Sequence, residues 1–176
     1  MSGFVEGNRC MVFAIVCFSA IVTFVAILWV FLYNKVVKKD MLCEHSWEQA
    51  HHEIWDEAQI ARQVKDVLQD RGEAEAEVSE LSAAIVALED ASDTPETLAA
   101  SESLSQALKS SLDTLSQTTG LSELTSKITT AGQRSSEAKK SYLKAVSDFN
   151  HAIEEFPTRF VAEPRFRKRD FAVAEA

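Results

Sequence analysis

Two different apolar patterns follow one another along the sequence, and the first is an unbroken run at residues 10–33 without a charged side chain. As a helix, these 24 residues extend about 36 Å, enough to cross a hydrocarbon core of about 30 Å. A cleavable signal peptide has a shorter apolar region of about 7–15 residues and a small-residue cleavage site, and neither matches this run. The pattern therefore predicts a retained transmembrane signal-anchor helix at 10–33, preceded by a short N-terminal tail at 1–9.

Beyond residue 33 the apolar positions recur at alternating spacings of three and four residues. This period is typical of amphipathic helices that pack on one another. The longest stripe runs up to Pro157 and consists of Leu121, Leu124, Ile128, Ala131, Ser135, Ala138, Tyr142, Ala145, Phe149, Ala152 and Phe156. A shorter stripe with the same spacing consists of Leu98, Ser101, Ser105, Leu108, Leu112 and Leu115. Before it, Trp47, Ile54, Ala61 and Leu68 recur every seven residues. No strand-like alternation of apolar and polar residues competes with these helical patterns.

Glycine and proline separate the stripes into helices. Thr94 can cap a helix that begins with Pro95 and Glu96, because proline suits the first turn and an acidic side chain complements the helix dipole. Pro157 stops the last helix, since proline has no backbone N–H to donate. Gly72 marks either a break in the first long helix or a solvated turn.

The predicted fold class is therefore all-α, with an N-terminal transmembrane helix followed by a long antiparallel bundle of three or four helices. We place the bundle at residues 34–157, with short loops at 91–94 and 118–121, because helices joined by short loops pack as antiparallel neighbours. Residues 158–176 form a basic and aromatic C-terminal tail.

The charge of the chain limits the kinds of partner that the bundle can bind and predicts its side of the membrane. The whole chain carries −9, and its first 39 residues hold four basic residues and one acidic residue, so the remainder carries −12. An acidic surface of this kind repels nucleic acid, and we expect no nucleic-acid partner. Arg9 precedes the apolar run, whereas Lys35, Lys38 and Lys39 follow it, and basic residues favour the cytoplasmic side. The N-terminus is therefore predicted to lie outside and the bundle in the cytoplasm.

Two carboxylate–histidine pairs are candidates for metal binding. Glu48 with His51 and Asp148 with His151 have the i, i+3 spacing with which helical bundles present ligands to two iron ions. A di-iron site also needs carboxylates from the other helices, and the chain contains a single Glu-x-x-His sequence. The polar residues around Glu48 favour solvated histidines, so we expect no metal and no cofactor. A membrane-tethered di-iron carboxylate enzyme is the alternative function.

Aromatic and basic residues are the candidates for interaction. Trp47 and Trp55 are eight residues apart and share a helix face, which either packs in the core or binds a partner. Cations and aromatic rings alternate in the tail at Arg165, Phe166, Arg167, Lys168 and Arg169. A basic residue near an anionic leaflet contributes about 1 kcal/mol, which makes this segment a candidate membrane-surface contact. A tail folded on the acidic bundle is the competing interpretation.

Three groups of residues together resemble the LemA family. One of them, from Ala100 to Leu108, looks like the family's Ala/Glu-rich stretch that ends in Leu-x-x-Ala-Leu. Tyr33-Asn34 follows the apolar run and Trp47 comes fourteen residues after Tyr33, which is similar to the start of the family's helical domain. The segment from Tyr142 to Pro157 resembles the family's terminal signature, which contains an aromatic–Asn pair and ends in Phe-Pro. The resemblance covers roughly residues 31–176.

This resemblance implies a bacterial, membrane-anchored helical bundle without an assigned catalytic activity, and some members are linked to membrane remodelling. It also adds Tyr142, Asn150, Phe156 and Pro157 to the candidate interaction residues. Leu143 stands where the family usually has Asn, so the chain resembles a divergent, short member.

These inferences combine into one functional expectation. We expect a single-pass inner-membrane protein whose cytoplasmic bundle acts as a scaffold or interaction module, in membrane organisation or remodelling. Its expected partners are membrane lipid and an unidentified protein, and the heptad stripes also permit a homo-oligomer. No residue pattern indicates an activated nucleophile or a phosphate-binding loop, so we do not expect an enzyme.

Overall fold

The computed structural model describes residues 3–72, 75–116, 122–162 and 166–169, and in these ranges the protein is all-α. The helices follow in the order α1 Gly3–Arg71, α2 Glu75–Asp90, α3 Thr94–Ser116, α4 Ser122–Glu154 and α5 Thr158–Ala162. The same ranges contain no β-strand. The predicted all-α fold class is confirmed.

The chain divides into two compact units. One, called here the N-terminal unit, comprises Met1–Met41 and Asp148–Lys168, and it contains the apolar run and the end of α4. The other, called the bundle unit, comprises Leu42–Ser147 and Arg169–Ala176. Helices α1 and α4 each contribute residues to both units.

Four helical segments pack together in the bundle unit: the second part of α1, then α2, α3 and the first part of α4. Their shared core consists of apolar side chains that are at most 9% exposed, namely Ile54, Ala58, Ala61, Val64, Leu68, Leu81, Ala84, Ile85, Leu88, Ala100, Leu104, Ala107, Leu108, Leu115 and Ile128. Residues from all four segments are present in this core, so the helices bury their stripes on one another as the sequence predicts.

Contacts along the helices establish their antiparallel order. Trp47 of α1 contacts Tyr142 of α4, whereas Ile60, further along α1, shares a groove with Ser126 near the start of α4. The two segments therefore run in opposite directions. Helices α2 and α3 contact each other and are joined by the short turn at 91–93, which makes them antiparallel as well.

The end of α1 decides how many helices the bundle has. Gly72 has a φ of 66°, in the left-handed region that favours glycine, and its N–H donates to the carbonyl of Gln69 over 3.1 Å. Helix α2 then begins at Glu75. The first long helix therefore breaks at Gly72, and the bundle has four helices rather than three.

The start of α3 differs by one residue from the prediction. Asp93, not Thr94, is the cap, since Asp93 Oδ1 accepts a hydrogen bond from the backbone N–H of Glu96 over 2.9 Å. Glu96 Oε2 accepts from the backbone N–H and from the hydroxyl of Ser92, each over 2.9 Å. These bonds hold the pKa of Glu96 below its usual range. Aspartate is a somewhat better cap than threonine, so Thr94 takes the first helical position instead.

The long stripe of α4 is confirmed over most of its length. Its members from Ile128 to Ala152 are buried, while Leu121 lies outside the described residues. Phe156 is an exception with a side chain that is 82% exposed, and its prediction as an inward residue is wrong. Helix α4 ends at Glu154 ahead of Pro157, so residue 156 no longer lies on the helical face that the stripe defines.

Candidate interaction surfaces

The first part of α1 presents apolar side chains on all sides. In the described part of the chain, one helix near the N-terminus is long and apolar enough to cross a membrane. The most apolar stretch of this helix is not buried within the protein at all. Large rings such as Phe18, Phe24 and Phe31 are exposed. A helix that is apolar all round needs an apolar environment, and its length and composition suit a bilayer.

The bundle unit carries a line of neighbouring rings, each tilted against the next, that ends on a cation; we call it the aromatic row. Its members are Tyr142, Trp47, His51, Trp55 and Arg62. Ring centroids are separated by 5.2 Å from Tyr142 to Trp47, by 5.8 Å from Trp47 to His51 and by 6.0 Å from His51 to Trp55. The guanidinium carbon of Arg62 lies 5.9 Å from the ring centroid of Trp55. Residues 47, 51 and 55 recur every four positions, which places them on one face of α1.

Hydrogen bonds fix the exposed end of this row. The indole N–H of Trp55 donates to His51 Nε2 over 2.9 Å. Arg62 Nη2 donates to Glu89 Oε1 on α2 over 2.6 Å, which orients the guanidinium. Trp47, Trp55 and Arg62 are half-buried, and His51 is exposed. The row is thus an ordered surface with accessible edges.

Tyr142 forms the inner end of the row. It is 6% exposed, so it contributes to packing more than to a contact surface. Burial raises its pKa above the usual range, although the nearby charge of Arg169 acts in the opposite direction.

The carboxylate–histidine pairs predicted as candidate metal ligands have other neighbours. His51 accepts the hydrogen bond from Trp55, and His151 Nε2 lies 2.9 Å from Glu155 Oε1. Asp148 Oδ2 lies 3.7 Å from Lys39 Nζ. Within the described ranges, the structure holds no group of three or more His, Cys, Asp or Glu side chains that could bind a metal ion.

The basic tail pairs with acidic side chains where it is described. Lys168 forms an ion pair with Glu154, and this hydrogen-bonded partner lowers the pKa of the Glu154 carboxyl. Arg169 Nη2 lies 3.6 Å from Glu44 Oε1 in the bundle unit. Two of the candidate membrane-surface residues, Lys168 and Arg169, therefore have carboxylate neighbours.

Phe166 packs in the N-terminal unit instead of projecting outwards. Its ring centroid lies 6.0 Å from that of Tyr33 and 6.2 Å from that of Phe149. Arg167 is exposed, and the predicted membrane contact Arg165 lies outside the described residues. Phe166 thus connects α1 to the end of α4.

The terminal motif divides into a packed part and an exposed part. Phe149 is 1% exposed and Asn150 is half-buried. Phe156 and Pro157 are exposed, and the ring of Phe156 lies edge-on to that of Phe160 with centroids 5.9 Å apart. Within this motif, Asn150 is thus half-buried, whereas Phe156 and Pro157 are exposed.

A buried carboxylate that the sequence analysis missed lies in the bundle unit. Glu57 is 1% exposed, its Oε1 accepts the hydroxyl of Ser105 over 2.8 Å, and its Oε2 has no hydrogen-bond partner. Glu57 lines a groove of about 310 Å³ together with the buried Lys139. Lys139 Nζ lies 3.3 Å from Ser101 Oγ and 3.3 Å from Glu102 Oε2. A carboxylate oxygen buried in this way lowers stability, since its lost hydration is not replaced.

Comparison with known proteins assigns no family: no protein-family model and no curated protein matches the chain. The resemblance to the LemA family stays a prediction, and it rests on the start at Tyr33, Asn34 and Trp47, on the stretch from Ala100 to Leu108 and on the segment from Tyr142 to Pro157.

Proposed function

We propose that this protein is a single-pass membrane protein that acts as a scaffold, and that its aromatic row binds a protein partner. The observation that carries the proposal is the ordered line of rings, with Trp47 and Trp55 half-buried and His51 exposed, that ends on Arg62. Tryptophan, tyrosine and arginine dominate the binding energy of protein interfaces. Polar groups at the rim, here His51 and Arg62, can give such a contact its direction.

The order of the row favours binding. Arg62 is held by Glu89, and Trp55 is held by His51. Side chains that are already fixed lose little rotational freedom when a partner arrives, so more of the contact energy contributes to affinity. A surface of this kind suits a partner segment that offers an aromatic or aliphatic anchor.

The first part of α1 supplies the membrane anchor in this proposal. The exposed apolar stretch supports a span at 10–33, and the three lysines after it support a cytoplasmic bundle with the N-terminus outside. We place the protein in the bacterial inner membrane, as a divergent member of the LemA family that works in membrane organisation or remodelling.

Photocrosslinking in intact membranes tests the partner surface. Gln59 is exposed and lies one turn after Trp55, so a benzoylphenylalanine at position 59 reports on the row without disturbing it. Val86, 52% exposed on α2, is the matched control position. We expect a discrete crosslinked product from position 59 that is absent from position 86.

Two substitutions decide whether the product depends on the row. Trp55→Ala should abolish the product, whereas Val86→Ala should leave it unchanged, with helicity of both variants checked by circular dichroism. A product at twice the mass of the chain would identify a second copy as the partner. Equal products from positions 59 and 86, or no loss with Trp55→Ala, would contradict the proposal.

Protease protection tests the orientation. Protease added outside the inner membrane should leave the bundle intact until that membrane is opened. Cleavage of the bundle from outside would overturn the cytoplasmic assignment.

A further inference from the structure

Two phenylalanine rings lie exposed side by side in the N-terminal unit. Phe156 is 82% and Phe160 is 62% exposed, and their ring centroids lie 5.9 Å apart in an edge-to-face arrangement. Among the residues outside 10–33 whose burial is described, the exposed large apolar side chains are Met41, Leu42, Val86, Phe156 and Phe160. The two aromatic members of this set are thus adjacent, which makes an apolar patch rather than two scattered side chains.

Hydrogen bonds hold this pair in a defined place. The hydroxyl of Thr158, which begins α5, lies 2.6 Å from the carbonyl of Ala152 and 2.8 Å from that of Glu155. Thr158 is 2% exposed, so these bonds are sheltered from water. Helix α5 is therefore tied to the end of α4, and the exposure of the two rings is a property of an ordered turn.

The same turn lies beside the end of the apolar run. The backbone N–H of Phe166 donates to the carbonyl of Ala162, the last residue of α5, over 2.8 Å. The ring of Phe166 in turn packs on Tyr33, with centroids 6.0 Å apart. Tyr33 is the last residue of the uncharged run, so α5 lies close to the position where a helix crossing at 10–33 leaves the hydrocarbon.

Exposed cations are present in the segments of the N-terminal unit that flank the two rings and the apolar run in the sequence. Lys35 and Lys38 follow the apolar run and are exposed, and Arg159 and Arg167, on either side of Phe160 in the sequence, are exposed as well. Basic residues near an anionic leaflet are attracted to its headgroups. Aromatic rings accompanied by such cations are typical of segments that enter the boundary between headgroups and acyl chains.

We propose that Phe156 and Phe160 form an aromatic wedge that inserts into the interfacial layer of the bilayer crossed by residues 10–33. The partner is lipid: acyl chains next to the rings and anionic headgroups next to the cations. This inference rests on the proposed membrane anchoring, to which it adds a second, peripheral contact in the same unit. The two rings lie outside the basic tail segment that the sequence singled out, of which Phe166 is packed and Lys168 is paired. Arg167 is the one residue of that segment that the wedge also uses.

Photocrosslinking to lipid tests the wedge directly in the full-length protein. Benzoylphenylalanine replaces one residue at a time in protein reconstituted into vesicles of phosphatidylethanolamine and phosphatidylglycerol. Positions 156 and 160 test the wedge, and this side chain resembles the native ring at both sites. Phe24, 66% exposed in the middle of the apolar run, reports on the span, and Val86 in the bundle unit reports background. Lipid adducts are quantified by mass spectrometry after illumination.

We expect lipid adducts at positions 24, 156 and 160, each at least about tenfold above position 86. Adducts at 24 with background levels at both 156 and 160 would overturn the wedge and leave the anchor intact. Background levels at 24 would overturn the anchor and the wedge together. A chain-to-chain product at 156 or 160 in place of lipid would also overturn the proposal, because the patch would then bind a second copy.

Discussion

Phe24 and Ile54 lie on the same helix, yet the first side chain is 66% exposed and the second is fully buried. Around Phe24 the helix is apolar on every side, whereas around Ile54 the apolar residues form a stripe between polar ones. A stripe can be buried by three other helices, but an apolar cylinder of this length cannot be covered by a small bundle. One continuous helix thus needs an apolar environment around Phe24 and packing against other helices around Ile54. The distribution of apolar residues around the helix determines which of the two applies.

The largest expected effect separates packed from lipid-facing aromatic rings. Phe149→Ala should lower the free energy of unfolding by about 3–5 kcal/mol, because the ring is 1% exposed and its removal leaves a cavity. Phe24→Ala removes an exposed ring and should leave the free energy of unfolding nearly unchanged. Chemical denaturation of the detergent-solubilised chain, followed by circular dichroism, measures both. Equal losses would mean that the ring of Phe24 is also packed within the protein.

An arginine introduced into the apolar run and another introduced into the bundle should have different effects on membrane insertion. Phe24→Arg should cost about 2.5–3.5 kcal/mol of membrane insertion, since the guanidinium would have to enter the hydrocarbon. Val86→Arg, on an exposed bundle position, should cost none. The fraction of protein that resists alkaline extraction from membranes measures insertion. Full resistance in the Phe24→Arg variant would contradict the span at 10–33.

The bundle interior contains a buried carboxylate, Glu57, whose effect on the free energy of unfolding can be measured. Ser105→Ala should lower the free energy of unfolding by about 1–3 kcal/mol, because Glu57 then loses the hydrogen bond to its Oε1. Adding Glu57→Met should restore most of this loss, since no buried carboxylate remains. Denaturation of the two variants and of the parent chain provides the measurement. A further loss in the double variant would show that the Glu57 carboxylate stabilises the bundle.

The cap of α3 gives a smaller effect. Asp93→Ala should lower the free energy of unfolding by about 1 kcal/mol, because the backbone N–H of Glu96 loses its acceptor. Thr94→Ala is the adjacent control and should cost less. A larger loss at Thr94, in the same denaturation experiment, would restore the cap that the sequence suggested.

The smallest effect concerns pH and the inner end of the aromatic row. Burial raises the pKa of Tyr142 in the folded protein, so the phenol contributes stability that is present below its unfolded pKa of about 10. That contribution is lost as the pH rises through the folded pKa. Tyr142→Phe should therefore flatten the loss of stability between neutral and alkaline pH. Parallel pH profiles for the variant and the parent would argue against a buried phenol.

The sequence predicts the stripes well because periodic apolar residues leave few ways to pack. The members of the α4 stripe from Ile128 to Ala152 are buried, as their spacing requires. Helix α1 breaks at Gly72, one of the two outcomes that the sequence allows there. The prediction that Phe156 faces inwards is wrong because the stripe continues in the sequence after helix α4 has ended. A stripe is informative only while the residues that carry it remain helical.

The missed site residues show where pattern reasoning fails. Glu57 lies three residues after Ile54 and four before Ala61, so its position on the stripe was a readable signal of burial. Its bond to Ser105 on α3 joins residues far apart in the chain, and no local pattern indicates such a contact. The contact of Trp55 with His51 follows from a spacing of four residues, but the placement of Arg62 also depends on Glu89 of α2.

The turn at Gly72 favours a D-residue over an L-residue at this position. A β-carbon added at this position would meet no atom within 4 Å, so the need for glycine comes from its φ of 66° and not from crowding. That dihedral is strained for an L-residue and relaxed for its mirror image. A D-alanine installed by chemical ligation would therefore keep the turn while restricting the unfolded chain, which favours the folded state. L-alanine would fill the same empty space and still weaken the break between α1 and α2.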